Sequence, residues 1–273
     1  MSQTMIQAAV TMGQLQNKLD LIGNNLANTN TAGYKGKQSD FSSLLYREIN
    51  NLTAPENAVG RLSPDMIRTG TGARLGAISL NMSQGTVKET GRTLDAALNK
   101  KNLLFQVQQT RNGNTETLYT RDGSFYLNPA NQNGDLMLVT KDGDPVLGKN
   151  GPIVIQPGFQ DVAFKSNGDI VVTRNGEQQV EGQLDVVEAV RPRFLESASG
   201  NMFRLPESAN ANEIIRPIAG GDEELLTGGA LEMANVDIAK ELTDMTSAQR
   251  AYSFNARTLT MGDQMEGLVN QLR

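Results

Sequence analysis

The stretch MIQAAVTMGQLQNKLDLIGNNL, residues 5–26, carries small or apolar side chains at alternating steps of three and four. This spacing places those side chains along one face of a helix, as in a heptad repeat. The face consists of Met5, Ala8, Met12, Leu15, Leu19, Ile22 and Leu26. The N-terminus is therefore predicted to be a long amphipathic helix whose apolar face needs a partner.

The C-terminal end of the chain shows the same pattern. One apolar stripe consists of Ile238, Leu242, Met245, Tyr252, Ala256 and Leu259. A second stripe on a shifted face consists of Phe254, Met261, Met265, Leu268 and Leu272. A helix from about residue 236 to 272 would be roughly 55 Å long, and a seam that moves around a helix can touch more than one neighbour. The pattern leaves open whether the two terminal helices pair within one molecule or pack between molecules.

An asparagine-rich segment, NNLANTNTAGYK at residues 24–35, is predicted to end the first helix near Asn28. Asparagine tolerates the left-handed conformation, and Gly33 supplies a position open to positive φ, so a tight turn is expected. Residues 36–78 are polar and broken by proline and glycine, which predicts an extended or partly disordered connector. A short helix is possible at residues 41–49.

From about Leu80 the pattern changes to short apolar runs that are typical of strands. The runs are Phe105-Gln106-Val107-Gln108, Leu136-Met137-Leu138-Val139, Ile153-Val154-Ile155, Ile170-Val171-Val172 and Leu184-Asp185-Val186-Val187. Dipeptides that suit hairpin turns lie between them, namely Asp122-Gly123, Asp142-Gly143, Asn167-Gly168 and Asn175-Gly176. A mainly antiparallel β domain is predicted, followed by a final helix with Asn235 as its N-cap and Asp237 placed favourably against the helix dipole.

Composition narrows the possible functions. The 273 residues carry a net charge of −5 and contain no cysteine and no histidine. These absences exclude disulfides, Ser-His-Asp and Cys-His catalysis and the common zinc sites, so no cofactor or metal is expected. The lack of a basic block argues against nucleic acid as a partner. No apolar run is long enough for membrane insertion and no cleavable signal is evident, which by themselves predict a soluble, cytosolic protein.

Carboxylates are the main catalytic groups left to this chain. Asp122, Asp135 and Asp169 could form a glycosidase-like pair only if the fold brought them together, and each already has an explanation beside a turn glycine. We therefore expect the protein not to be an enzyme, and a cell-wall-acting carboxylate glycosidase is the alternative.

Residues 24–35 resemble the N-terminal signature of bacterial flagellar basal-body rod and hook proteins, close to N-N-L-A-N-x-N-T-x-G-[FY]-K, and match its every fixed position. The stretch LEMANVD at 231–237, with Glu241-Leu242 and Gln249-Arg250-Ala251-Tyr252, is similar to the partner signature of the same family. Further family-like segments are Ser83-Gln84-Gly85, Thr93-Leu94-Asp95, Tyr119-Thr120-Arg121-Asp122-Gly123-Ser124-Phe125, Leu195-Glu196-Ser197 and Gly200-Asn201. The length best fits the distal rod (FlgG/FlgF) type. One segment departs from the family, because Asn99-Lys100-Lys101-Asn102-Leu103-Leu104-Phe105 replaces a glycine-containing turn.

The resemblance implies an α+β fold in which the N- and C-terminal helices pair as an antiparallel coiled coil, with a central mainly antiparallel β domain outside it. It implies a structural subunit of the flagellar rod that polymerises into the shaft linking motor to hook. The implied partners are copies of itself, other flagellar rod and hook proteins and the flagellar type III export apparatus. It also replaces the cytosolic expectation by export across the cytoplasmic membrane without signal cleavage. A proximal-rod, hook or cap and assembly protein of the same axial family is the alternative.

The expected divisions are an N-terminal helix with the asparagine-rich signature at 1–35, an extended connector at 36–79, a β domain at 80–230 and a C-terminal helix at 231–273. The residues predicted to pack in the assembly lie on the two helices and in the two signatures. They are Leu15, Leu19, Ile22, Asn24, Asn25, Leu26, Asn28, Gly33, Tyr34, Asn235, Val236, Asp237, Leu242, Met245, Gln249, Arg250, Tyr252 and Leu259.

Overall fold

A computed structural model of the chain describes residues 3–43, 46–49, 67–70, 73–111, 113–131, 134–206, 210–218 and 224–271. Its helices are α1 (Gln3–Ala27), α2 (Ala211–Ile214) and α3 (Ile238–Gln271), with a 3-10 turn at Pro192–Phe194. Among the described residues, no helix is long and apolar enough to cross a membrane.

The strands are short and numerous. In chain order they are β1 (Lys37–Gln38), β2 (Phe41–Ser43), β3 (Tyr46–Ile49), β4 (Ile67–Gly70), β5 (Ala73–Leu75), β6 (Ser79–Leu80), β7 (Val87–Glu89), β8 (Ala96–Leu98), β9 (Leu103–Arg111), β10 (Asn114–Thr120), β11 (Tyr126–Pro129), β12 (Leu136–Val139), β13 (Leu147–Gly148), β14 (Gly151–Pro152), β15 (Val154–Ile155), β16 (Asp161–Phe164), β17 (Asp169–Arg174), β18 (Glu177–Gln183), β19 (Val186–Ala189), β20 (Glu196–Ser197), β21 (Met202–Arg204), β22 (Ile215–Pro217), β23 (Leu226–Gly228) and β24 (Ala230–Glu232).

The chain divides into two compact units. The helical unit comprises residues 1–26, 37–79 and 238–273, and the β unit comprises residues 27–36 and 80–237. Two terminal helices and a central, mostly antiparallel β domain are thus present, which confirms the predicted α+β class. In the helical unit, β2 pairs with β5 and β3 with β4, both antiparallel.

The β unit is built on a six-stranded sheet with the order β20-β21-β10-β9-β19-β22. Side chains alternate between its two faces, so Phe105 and Leu104 on β9 enter two different apolar clusters. The larger cluster is centred on three rings in edge-to-face contact, with Phe105 and Phe125 5.2 Å apart and Phe125 and Phe164 5.9 Å apart. Such pairs add to the stability that burial already provides.

Three of the four predicted hairpin turns are confirmed and one is wrong. Gly143, Gly168 and Gly176 all have positive φ and close turns, and Asn167-Gly168 and Asn175-Gly176 join β16 to β17 and β17 to β18 as predicted. The Asp122-Gly123 prediction is wrong, because β10 pairs with β9 and β21 while β11 pairs with β12. An added Cβ on Gly123 would lie 1.8 Å from the carbonyl oxygen of Ala96, so this glycine permits a close backbone approach.

The connector prediction is wrong in one respect. The possible short helix at 41–49 is absent from the described residues of that segment, which form β2 and β3 instead. These two strands each have an antiparallel partner further along the connector, and that pairing satisfies their backbone polar groups. Residues 44–45, 50–66 and 71–72 of the predicted connector lie outside the described part of the chain.

Candidate functional site

The apolar face predicted for α1 is buried or half-buried along its length. Leu15 and Ile22 are 6% and 2% exposed, Met5 and Ala8 are equally covered, and the predicted residues Leu19 and Leu26 are half-buried. We call this face the α1 seam. Its burial shows that the heptad pattern correctly identified the side of the helix that packs.

Helices α1 and α3 meet at two widely separated points. Near one end, Nδ2 of Asn25 donates to Oε1 of Glu241 at 3.0 Å. Near the other, a Cβ added to Gly262 would lie 2.8 Å from Cγ of Met5. The contacts lie 20 residues apart on α1 and 21 apart on α3, roughly 30 Å in each case. Since the order of the contacts is reversed along the two helices, they run antiparallel.

The covered face of α3 also follows a heptad spacing, with successive steps of four and three. It consists of Glu241, Met245, Ala248, Tyr252, Asn255, Leu259 and Gly262, all buried or half-buried, and we call it the α3 seam. The predicted packing residues Met245, Tyr252 and Leu259 lie on it. Leu242 and Ile238 are 45% and 49% exposed and lie off the seam, so packing through Leu242 stays a prediction about contacts with another molecule.

Asn25 is a buried amide that anchors the end of α1. Its Oδ1 accepts from the backbone N–H of Lys37 and its Nδ2 donates to the carbonyl of Lys37, both at 2.9 Å. The side chain therefore reproduces the hydrogen bonding of a neighbouring strand. An asparagine is required here because only a primary amide offers donor and acceptor in this geometry.

The two signatures meet inside the β unit, at a cluster that we call the signature junction and define by Gly33, Lys35, Gly36, Glu232 and Asn235. Nζ of Lys35 lies 2.6 Å from Oε1 of Glu232, which β24 positions by pairing with β7. On its other oxygen, Glu232 accepts from Nε of Arg121 at 2.5 Å. The three charged side chains are at most 1% exposed, so the carboxylate neutralises charge that water cannot screen.

Backbone groups complete the shell around these charges. Gly85 donates its N–H to Oε1 of Glu232 at 2.8 Å, and Lys35 donates to the carbonyl of Ser83 at 2.7 Å. The Arg121 guanidinium also donates to two backbone carbonyls of the 99–105 segment, those of Leu103 and Lys100, at 2.8 and 2.9 Å. A buried network in which every charged side chain is hydrogen-bonded favours one arrangement of the chain.

Burial lowers the pKa of the Lys35 ammonium from its ordinary value of 10.5, and the nearby Arg121 charge lowers it further. The hydrogen bond and charge of Glu232 act in the opposite direction without cancelling these effects. Lys35 is therefore a cation held in an unfavourable environment, and Glu232 is the group that makes its burial tolerable.

Asn235 joins the two signatures and is not the helix cap that its sequence position predicts. Its Oδ1 accepts from the N–H of Gly36 at 2.8 Å, and its Nδ2 donates to the carbonyls of Asn81 and Ser83 at 2.7 and 2.8 Å. The N-cap prediction for Asn235 is wrong because those partners take both ends of its amide. Asp237 directly precedes the first residue of α3, where its charge favours the helix dipole as predicted.

Gly33 is required by both conformation and space. Its φ is +67°, and an added Cβ would lie 2.4 Å from the backbone of Arg121 and of Asp122. Its N–H donates to the backbone carbonyl of Glu232 at 2.8 Å, which joins the signatures directly. The neighbouring Tyr34 is buried, 5% exposed.

Gly33→Ala should therefore destabilise the β unit by about 2–4 kcal/mol, from left-handed strain plus backbone overlap. Gly91→Ala is the matched control, since Gly91 has φ +70° and nothing within 4 Å of an added Cβ. It should cost only the strain, about 1–2 kcal/mol. Urea unfolding of the full chain measures the free energy of unfolding of both variants. Equal decreases would show that the close contact with the Arg121 backbone does not contribute to stability.

The other predicted packing residues do not form part of either seam or of the signature junction. Asn28 and Val236 are half-buried, whereas Asn24, Gln249 and Arg250 are exposed. Their assignment to contacts between subunits stays a prediction.

The residues that sequence reasoning missed are the ion cluster itself: Lys35, Arg121 and Glu232. All three stand inside segments that resemble family signatures, but hydrophobic periodicity does not distinguish them from exposed charges. The usable signal was their position, because a charged residue surrounded by turn-forming glycine and asparagine has backbone groups available to cover it.

Two of the three carboxylates considered for catalysis, Asp122 and Asp169, are tied to local turns. Asp122 accepts from the backbone N–H of Ser124 at 3.1 Å, and Asp169 accepts from Nδ2 of Asn167 at 2.8 Å. Among the described residues, no group of three or more acidic side chains could hold a metal ion. In the signature junction the side chains of Lys35, Glu232 and Asn235 all hydrogen-bond to parts of the chain that are distant in sequence.

Three family models match this chain at its two ends and in its middle. A model described as flagella basal body rod protein matches residues 7–35. The flagellar hook protein FlgE/F/G D1 domain matches residues 103–172. The flagellar basal body rod FlgEFG protein C-terminal model matches residues 227–272. The first and last of these ranges contain the α3 seam, all of the α1 seam except Met5, and most of the signature junction.

Similar proteins align over nearly the whole chain. The flagellar hook-basal body complex protein FlhP of Bacillus subtilis is 37% identical over 100% of both chains. The flagellar basal-body rod protein FlgG of the same organism is 33% identical over 96% of both. FlgG of Agrobacterium fabrum is 31% identical over 97% of both.

Proposed function

The chain belongs to the flagellar FlgE/F/G family of basal-body rod and hook proteins, and we propose that it is a structural subunit of the rod that polymerises through its terminal helices. The single observation that carries this function is the exposed apolar surface of α3. Phe254, Met261, Met265 and Leu268 are 53–71% exposed on the helical unit. Rows of large apolar side chains on a protein surface mark sites of association.

The two seams are proposed to form an antiparallel coiled coil in each subunit. The α1 and α3 seams both repeat at steps of three and four, and their end contacts lie almost equally far apart on the two helices. That is the spacing at which side chains of two helices interlock. The small residues Ala248 and Gly262 on the α3 seam allow the helices to approach closely.

Heterologous contacts between such helix pairs would generate an open helical array, which is the form a drive shaft between motor and hook requires. The resemblance to the distal rod type, together with relatives named as the basal-body rod protein FlgG, favours a distal rod position. The relative with 37% identity is named only as a hook-basal body complex protein. A neighbouring position in the same flagellar axis is therefore the second candidate for this chain. We propose other rod and hook proteins as partners, and export by the flagellar type III apparatus without signal cleavage.

Deleting the gene tests this function directly. Cells without the protein should be non-motile, and electron microscopy should show basal bodies whose rod is truncated and lacks a hook. Complementation with the wild-type chain should restore both, and the protein should copurify with intact basal bodies. Complete rods and hooks in the deletion strain would reject the structural-subunit proposal. A glycan-hydrolysis assay on the purified chain separates it from the glycosidase alternative.

A further inference from the structure

Both helices of the helical unit carry an exposed stripe on a face not used by their seams. The outer stripe of α1 consists of Ile6, Val10, Gly13, Asn17 and Asp20, all exposed. The outer stripe of α3 consists of Arg250, Phe254, Arg257, Met261, Met265 and Leu268, also all exposed. At 100° per residue the α1 stripe lies opposite Leu15 and Ile22, and the α3 stripe likewise lies on the side of α3 nearly opposite its seam.

We propose that the outer stripe of α3 packs against the outer stripe of α1 of a second copy, antiparallel and in one defined register. This proposal rests on the proposed function, because it names the contact by which the rod subunits join. The same pair of stripes occurs on every copy, so each subunit offers one stripe to each of two neighbours.

A pair of opposite charges fixes the alignment of the two stripes at one end. Arg250 and Arg257 are exposed cations that flank the most exposed aromatic ring of α3, Phe254, at 71%. Asp20 is the carboxylate of the α1 stripe. Opposite charges on facing stripes steer association and disfavour other registers. Placing Arg250 opposite Asp20 sets the register.

Apolar side chains determine the direction. From Arg250 to Met261 is 11 residues, and from Asp20 back to Val10 is 10, so antiparallel packing brings Met261 opposite Val10. Met265 then lies opposite Ile6, and these two side chains are 65% and 53% exposed. A parallel arrangement would carry the apolar end of α3 past the end of α1.

Shape agrees with the same register. Phe254 falls opposite Asn17 and beside Gly13, and a Cβ added to Gly13 meets nothing within 4 Å. The missing side chain leaves space on the α1 surface that a large ring can fill. Knobs that enter such gaps give the close packing that specific interfaces show.

Disulfide crosslinking tests the register, and the absence of cysteine from the chain makes the background zero. Val10→Cys with Met261→Cys, expressed from the native locus, should give a ladder of oligomers when purified basal bodies are mildly oxidised and run without reductant. Met5→Cys with Gly262→Cys joins the two seams of one copy and should give monomer. Val10→Cys with Phe254→Cys is displaced by seven residues, about 10 Å, which exceeds the reach of a disulfide.

Three results would overturn the proposal. One is crosslinking of the displaced pair as strongly as the matched pair. Another is dimer formation by Val10→Cys alone, because like residues would then meet across a two-fold axis. The third is that the variant with Val10→Cys and Met261→Cys gives only monomer although its basal bodies have normal composition. That result would reject the register but not the proposed rod function. Absence of the wild-type chain from basal bodies would instead reject the proposed function.

Charge reversal supplies a second test if the cysteine variants do not assemble. Asp20→Arg and Arg250→Asp should each reduce incorporation into basal bodies at least tenfold, and the double variant should restore it. Failure of the double variant to recover, with each single variant impaired, would overturn the register. Thermal melting of each purified variant checks that folding is unchanged.

Discussion

Replacing Glu232 by glutamine should destabilise the β unit by about 3–5 kcal/mol, because it leaves two buried cations facing each other without a counter-charge. Glutamine keeps the shape and one acceptor oxygen, so the loss reports the charge and not a cavity. Lys35 and Arg121 would be left within the same network at no more than 1% exposure. Removing one partner of a buried ion pair is one of the few single changes expected to reach this size.

Thermal unfolding followed by circular dichroism measures the effect, and about 3–5 kcal/mol corresponds to roughly 6–20 °C for a unit of this size. Glu196→Gln is the matched control. Glu196 pairs with Arg204 at 3.0 Å, but both side chains are about half exposed, and such pairs contribute about 0–1 kcal/mol. Equal shifts in the two variants would show that the signature junction does not depend on its charges.

The difference between wild type and Glu232→Gln should also depend on pH. Burial already lowers the pKa of Lys35 from 10.5 in the folded chain, and loss of the carboxylate should lower it further. Between the lowered folded pKa and 10.5 the unfolded state binds more protons than the folded state, so stability rises with pH. The deficit of the variant should thus shrink as pH rises toward 10.5, and a deficit that grows over this range would contradict the assignment.

Local residues explain why parts of this molecule could be predicted from sequence. Gly33 was identified because positive φ is a property of one residue and its immediate turn. The α1 seam was identified because its apolar side chains repeat over about six turns of helix. Asn175-Gly176 was recognised for the same local reason, since the two residues alone determine the turn.

Partners that are distant in sequence explain why other positions were not predicted correctly. Asn235 was assigned to the helix that follows it, whereas its amide bonds Gly36, Asn81 and Ser83, all more than 150 residues away in sequence. At the start of α3 the covered residue is Glu241, whereas the predicted residue Leu242 is 45% exposed. Amide and carboxylate side chains on a seam cannot be separated from surface positions by hydrophobic pattern alone.

The 99–105 segment depends both on a local turn residue and on a long-range partner. It lacks the glycine-containing turn expected of the family, yet Asn102 adopts φ +62° and makes the left-handed turn itself. Asparagine is the residue other than glycine that best tolerates this conformation. The carbonyls on either side of the turn accept from Arg121, so this segment holds the guanidinium that pairs with Glu232 of the signature junction.

Leu259→Glu should abolish incorporation of the protein into the rod and, with it, motility. Leu259 lies half-buried on the α3 seam, and an unpaired carboxylate placed between packed helices costs several kcal/mol. A repeating array imposes that cost at every subunit, so the loss of assembly should be far larger than the loss of stability in one chain. The β unit should keep its unfolding temperature, because the substituted residue belongs to the helical unit.

Thr260→Glu is the matched control for this prediction. It introduces the same side chain one residue further along the same helix, at an exposed position that lies on neither the α3 seam nor its outer stripe. The control should incorporate normally, since an exposed charge on a helix changes stability by a few tenths of a kcal/mol. The readouts are swimming, the amount of each variant in purified basal bodies and the melt of the isolated chain. If Leu259→Glu were incorporated as well as Thr260→Glu, the two seams would not be packed together in the assembled rod, and polymerisation through paired terminal helices would have to be abandoned.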